Sequence, residues 1–298
     1  MRALGNAVEL LKKKPSIFLL TFFIGGIVSL IEYLFMTIVY GFSMFKSGGS
    51  FFDDFINVIQ FIVGAVIVPT TAVKIIIGLT FLVLAFSLLL ALLFSGYFNV
   101  LHNAVEGKNR STFKDFIVGI KKYFLRLIAV NLWTICCTIL LVIYLFIASI
   151  PSAIVMDNSL NGNINLFAGF LLMLVTAVVL FFSFAFFRQY ICFWYPSAVT
   201  YEKNHFKIAK KLSDSNFWSL LSRFLAFDIT FLVFEAVYIV ANFSLANQQV
   251  VGGVANTVLL IVNIVFKTLF YALMLGFIFS SFKECNDSYK NKSNLKLH

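Results

Sequence analysis

The chain has 298 residues, 61% of them hydrophobic and 12% charged, with a mean hydropathy of +0.96 and a net charge of +10. So little polar surface cannot clothe a soluble globule of this length, which excludes a soluble catalytic domain. With only four Pro and sixteen Gly along long apolar runs, the composition points to an all-α, polytopic membrane protein.

The N-terminal segment sets Leu4, Val8 and Leu11 against Glu9, Lys12 and Lys13, the pattern of a basic amphipathic helix that Pro15 ends. The apolar run that follows, from Ile17 to about Tyr40, exceeds the roughly 7 to 15 residues of a signal-peptide core and reads as a retained first helix. Crossing the hydrocarbon core takes roughly 20 apolar residues. Six stretches qualify: 17–42, 74–101, 126–150, 166–195, 220–245 and 252–282. Phe55 to Pro69 is apolar but too short to cross, and reads as a flap on the outer surface, with a re-entrant loop as the alternative.

Between spans two and three, Phe113, Phe116, Ile117, Ile120 and Phe124 recur with helical spacing while Lys114, Asp115, Lys121 and Lys122 fall elsewhere on the wheel. Between spans four and five, Phe206, Ala209 and Leu212 oppose Lys207, Lys210 and Lys211, and the sequence SDSN, 213–216, suits a turn and an N-cap. Each hairpin of spans is therefore preceded by a basic amphipathic helix, giving repeat units of about 1–105, 106–200 and 201–283 in a single membrane domain 1–298, with 284–298 as a tail. A shift of 97 residues lays RLIAVNLWTI (126–135) on RFLAFDITFL (223–232), so that Arg126 meets Arg223 and Asn131 meets Asp228.

Nineteen of the 23 Lys and Arg lie before span one, between spans two and three, between spans four and five, or after span six. The positive-inside rule then puts both termini in the cytoplasm. The charge is a topology signal with affinity for anionic lipid headgroups, and no nucleic-acid partner is expected.

Ionisable groups inside a span are functional candidates by default. They are Glu32, Asp228, Glu235 and Lys267, with Asn131 as the polar equivalent of Asp228 one repeat earlier. Counting about 1.5 Å per residue puts Asp228 at the depth of Lys267, so these two are expected to pair, or to line a polar pathway with Glu235. Glu235 has no partner by this count, and Glu32 lies level with it. Arg188 is expected at the inner interface, either as an anchor or paired with Glu202 across a bend at Pro196.

The four cysteines show no metal or disulfide spacing. No nucleophile with a base, Gly-rich phosphate loop or metal cluster appears, so neither an enzyme, a metal nor a cofactor is expected.

The stretch Arg188 to Leu225 carries Arg188, Pro196, Glu202, Ala209, Ser213, Phe217 and Trp218 in an order that resembles the membrane domain of some glycerophosphodiester phosphodiesterases, also found alone in many bacterial proteins. Asn216 stands where that pattern has a Gly. The resemblance implies a six-helix fold in a bacterial cytoplasmic membrane. It transfers no catalytic residue, because the chemistry of that family belongs to a separate soluble barrel. The expected role is membrane organisation or the handling of a lipid or amphiphile at the inner leaflet. The alternative is a transporter or permease subunit, which would need a separate ATPase, and a channel comes third.

Overall fold

A computed structural model describes residues 2–27, 29–30, 64, 68–108, 111–160, 166–246 and 252–295. Every regular element among them is a helix: α1 Arg2–Lys13, α2 Ser16–Ile27, α3 Pro69–Val105, α4 Thr112–Leu160, α5 Leu166–Thr200, α6 His205–Ser215, α7 Phe217–Ala246 and α8 Gly252–Leu295. Five of them, α3, α4, α5, α7 and α8, are long and apolar enough to cross a membrane. They contain the spans expected at 74–101, 126–150, 166–195, 220–245 and 252–282. The span expected at 17–42 begins as α2, while Glu32 and most of 55–69 lie outside the described residues.

Side chains that would be core in a soluble protein are turned outward, as the lipid phase requires: Phe81 is 75% exposed and Phe167 71%. The protein is multi-pass.

Helix ends follow local chemistry. The chain breaks between α1 and α2 at Lys14 and Pro15, where proline removes a backbone donor. At the end of α3, Gly107 takes a left-handed φ of 75°. The Lys108 amide then donates to the Asn103 carbonyl at 2.9 Å and the Gly107 amide to the Ala104 carbonyl at 3.1 Å, closing a Schellman motif. Asn204, at φ 58°, stands before α6, and Asn216 separates α6 from α7, its side-chain amide donating to the Leu212 carbonyl at 3.0 Å.

Three expectations change here. The basic segment 112–125 is no separate elbow: it continues into the third span as one helix of 49 residues, about 74 Å long, more than twice the roughly 30 Å hydrocarbon core. No Pro, Gly pair or capping residue interrupts it at 125–126. Pro196 does not bend the chain into the next elbow either, since α5 runs through it to Thr200. At the C-terminus, α8 continues through Leu295, so most of the segment read as a tail is helix.

The chain falls into two compact units. One comprises 1–43, 93–124 and 192–298, and the other 44–92 and 125–191.

In the second unit, the α3–α4 hairpin is tied by polar groups inside its spans. The Ser87 hydroxyl donates to the Ile128 carbonyl at 2.9 Å, and the fully buried Asn131 donates to the Ser87 carbonyl at 3.3 Å. Buried hydrogen bonds of this kind stand in for the hydrophobic drive that lipid cannot supply between helices.

In the first unit, the end of α3 meets the start of α4 backbone to backbone. A methyl added at Gly119 would collide with the Ser95 carbonyl and sit 2.6 Å from Asn99 Cβ, while Gly96 lies under the Phe116 ring. The close crossing buries Asp115, Gly119 and Tyr123, four residues apart along one face. Phe113 and Ile117, from the apolar stripe of the sequence, remain 72% and 38% exposed. The same reversal holds for α1. It packs Ala3, Ala7, Leu10 and Leu11 inward, with Ala7 against Gly276 of α8, and leaves Leu4 and Val8 exposed.

Candidate functional site

Two places in the first unit gather groups able to do chemistry or bind a ligand. The first lies within the α7–α8 hairpin. Lys267 is buried, and its Nζ stands 3.0 Å from Glu235 Oε1, in an ion pair whose angle falls short of a good hydrogen bond. The Phe231 ring lies 5.9 Å from the same Nζ.

A partner of Lys267 is thus the acid that the sequence left unmatched. Helix register explains it. Phe231 meets Phe270, and Phe224 meets Phe277, across the two helices. Asp228 lies two turns before Glu235, half-buried along the same side of α7. Ring contacts between Phe234 and Phe266, Phe227 and Phe270, and Phe227 and Phe277 surround the pair with apolar material, where a lone charge is costly.

Arg188 carries its guanidinium 5.8 Å from the Phe184 ring, and Glu202 is exposed on the turn after α5. These two fall in different units, as do Arg126 and Arg223. Arg223 faces Glu284 of α8 at 3.6 Å. Asn131 serves the α3–α4 hairpin, as described above.

The second place is the basic end of the first unit, where α1, the end of α3, α6 and the late turns of α8 come together. Lysine side chains close off carbonyls that the helix ends leave open: Lys283 donates to Val105 at 3.0 Å and Lys14 to Lys108 at 2.9 Å. Tyr201 donates to the Asn286 side chain at 2.5 Å, and Lys211 to the Tyr289 hydroxyl at 2.7 Å. On α1, the hydrogen bond and charge of Lys13 at 2.7 Å hold the Glu9 carboxyl below the usual carboxylate range.

Three crevices open among these groups. One of about 440 Å³ lies between α1, the α3 terminus and α8, and includes Asn6, Lys13, Ser280, Lys283, Glu284 and Asp287 in its walls. A second, of about 170 Å³, involves His102, Thr200, Lys283 and Lys290. A third, of about 230 Å³, is bounded by Asn204, Lys207, Lys211 and Tyr289. Among the described residues no three His, Cys, Asp or Glu side chains gather as a metal site would need.

Sequence reading passed over the largest crevice, although Ser280, Glu284 and Asp287 recur at i, i+4 and i+7. That periodicity was available. It straddles the boundary between a supposed span and a supposed tail, and α1, the opposite wall, is remote in sequence.

No protein-family model, curated protein or solved structure matches the chain.

Proposed function

We infer that the protein is a non-catalytic component of a bacterial cytoplasmic membrane that binds lipid or amphiphile headgroups at its inner face. The observation that carries this reading is the cluster of three polar crevices at the basic end, each lined by lysine and each of a size suited to part of a small polar ligand. Beside the largest, α1 leaves Leu4 and Val8 open, an apolar edge suited to the headgroup boundary. Membrane lipids are the primary partners, with anionic headgroups drawn to the lysines of the elbows.

In this reading six spans form three hairpins, the first completed by residues after α2, and both termini face the cytoplasm. The resemblance of Arg188–Trp218 to the membrane domain attached to glycerophosphodiester phosphodiesterases supports the same picture. Ala209 and Ser213 of that pattern are fully buried in α6, and Phe217 and Trp218 open α7 directly after the break at Asn216.

Extraction in mild detergent followed by mass spectrometry tests the reading: phospholipid should remain on the purified protein at defined stoichiometry. A lipid-free protein would refute it. Orientation is tested by a reporter active only in the cytoplasm and fused after residue 298, which should give signal. Silence there would overturn the six-span topology.

The pair of Lys267 and Glu235 within a hairpin favours a second reading, a transporter or permease subunit driven by a separate ATPase. Copurification of an ATPase would favour it over the first.

A further inference from the structure

The crevice between α1, the α3 terminus and α8 holds buried polar atoms that the fold does not satisfy. Ser280 is 3% exposed, and its hydroxyl makes no hydrogen bond. One turn further along α8, Glu284 uses Oε2 to face Arg223 at 3.6 Å, while its Oε1 is buried and without a hydrogen-bond partner. Both side chains line the crevice. Native proteins rarely leave such groups unpaired, so two on adjacent turns facing one space point to a donor that comes from outside.

The charges around them narrow its chemistry. Lys13 is engaged by Glu9 and Lys283 by the Val105 carbonyl. Asp287, one turn beyond Glu284 and exposed at the same crevice, has no hydrogen bond or ion pair among the described residues. The unsatisfied set is therefore a hydroxyl, a carboxylate oxygen and a free carboxylate, arranged from deep to shallow along one face of α8. It lacks the third clustered carboxylate, His or Cys of a metal cage. It matches a primary ammonium, whose three N–H donors need three acceptors. Lys13 and Lys283 each keep further N–H donors, and both border the same space, where they suit a phosphate one short linker away from the ammonium.

We propose that the crevice between α1, the α3 terminus and α8 is a headgroup site for an aminophospholipid, with the ammonium held by Ser280, Glu284 and Asp287 and the phosphate by Lys13 and Lys283. The proposal rests on the lipid-binding reading above and adds the class of headgroup. A lipid is the occupant that fits because α1, which walls the crevice with Asn6, Glu9 and Lys13, is also the helix that exposes Leu4 and Val8. A headgroup entering there leaves its acyl chains beside an apolar edge.

The test is native mass spectrometry of the full chain in detergent, titrated in turn with phosphatidylethanolamine, phosphatidylcholine and phosphatidylglycerol of identical acyl chains. Three methyl groups on the choline nitrogen remove every N–H donor, so phosphatidylethanolamine should bind about tenfold more tightly than phosphatidylcholine, as expected for losing hydrogen bonds to a charged group. Ser280→Ala and Glu284→Gln should each lower that preference at least threefold. Ser280→Ala removes only an unpaired hydroxyl, so it keeps the test valid if Glu284→Gln misfolds.

Equal binding of all three lipids, or an unchanged preference in Ser280→Ala, would overturn the ammonium site while leaving lipid binding intact. No retained lipid of any kind would overturn the lipid-binding reading itself. Free phosphoethanolamine binding as tightly as the lipid would overturn the lipid as occupant and assign the site to a soluble amine.

Discussion

Replacing Lys267 by methionine should destabilise the protein severely, and the size of the effect follows from the pair it breaks. Lys267 is 1% exposed and the Glu235 side chain 13%, with 3.0 Å between Nζ and Oε1. At that separation two unit charges attract by about 5.5 kcal/mol with an effective dielectric of about 20. Each ion has given up several kcal/mol of hydration to be there, so the intact pair contributes little net stability. Lys267→Met deletes the attraction and leaves Glu235 desolvated without this counter-charge, a loss of about 3–5 kcal/mol. Glu235→Leu should cost a similar amount. The double variant removes both charges together and should lie within about 1 kcal/mol of the parent, or above it, because two desolvation penalties vanish with the one attraction. Reversible unfolding of the four proteins in a single detergent supplies the cycle, and a coupling energy of at least about 2 kcal/mol is expected. A double variant whose loss equals the sum of the two single losses would refute the reasoning, since it would show that the two side chains do not answer to each other. Within the same assay Glu235→Gln should cost more than Asp228→Asn. The reverse order would make Asp228 the principal partner.

The remaining predictions concern backbone and packing. Gly119→Ala should lower stability by about 1–3 kcal/mol because its methyl meets the Ser95 carbonyl, whereas Gly78→Ala, a helical position with nothing within 4 Å, should raise it by up to about 1 kcal/mol; thermal melts of both compare the two signs. Gly107→Ala should cost about 1 kcal/mol through its left-handed φ of 75°, while Gly107→Asn costs less, read by the same melts. Asn131→Leu should destabilise by about 1 kcal/mol by removing the inter-helix hydrogen bond to the Ser87 carbonyl in the α3–α4 hairpin, and exchange of the Ile128 and Asn131 region with deuterated solvent should accelerate.

Why some of this was legible in the sequence, and some not, follows from what lipid does to hydrophobic pattern. The five long helices could be read because a span needs a run of about 20 apolar residues whatever packs beside it. The breaks at Pro15 and Asn216 could be read because a proline and a polar turn cluster act locally. The faces could not. In water an apolar stripe marks the side that enters the core, but beside lipid the apolar residues are content outside and the small and polar ones turn inward. Hence Phe113 and Ile117 stay exposed while Asp115, Gly119 and Tyr123 are buried, and Leu4 and Val8 stay exposed while Ala3 and Ala7 meet α8.

The same inversion governs where a binding site can be found. In a soluble fold, an acid and a hydroxyl at i and i+4 on a helix normally mark a solvated face. On α8, Ser280 and Glu284 occupy the inward face, because outward positions are left to residues that lipid tolerates, such as Leu269 and Val265 further up the helix. A polar stripe that continues an apolar span is therefore a direct pointer to the protein interior, and it is legible only once the helix is known to continue. The boundary drawn at residue 282 hid it. Taking α8 as one helix from Gly252 to Leu295 puts Lys267, Thr268, Ser280, Ser281 and Asn286 among the buried residues of a single element. Lys267 at the upper level is matched by Glu235, and Asn286 at the lower by Tyr201. Ser280, between them, is left with its hydroxyl unmatched inside a crevice, and that difference is the reason a ligand is sought there and not at the intramembrane charge pair.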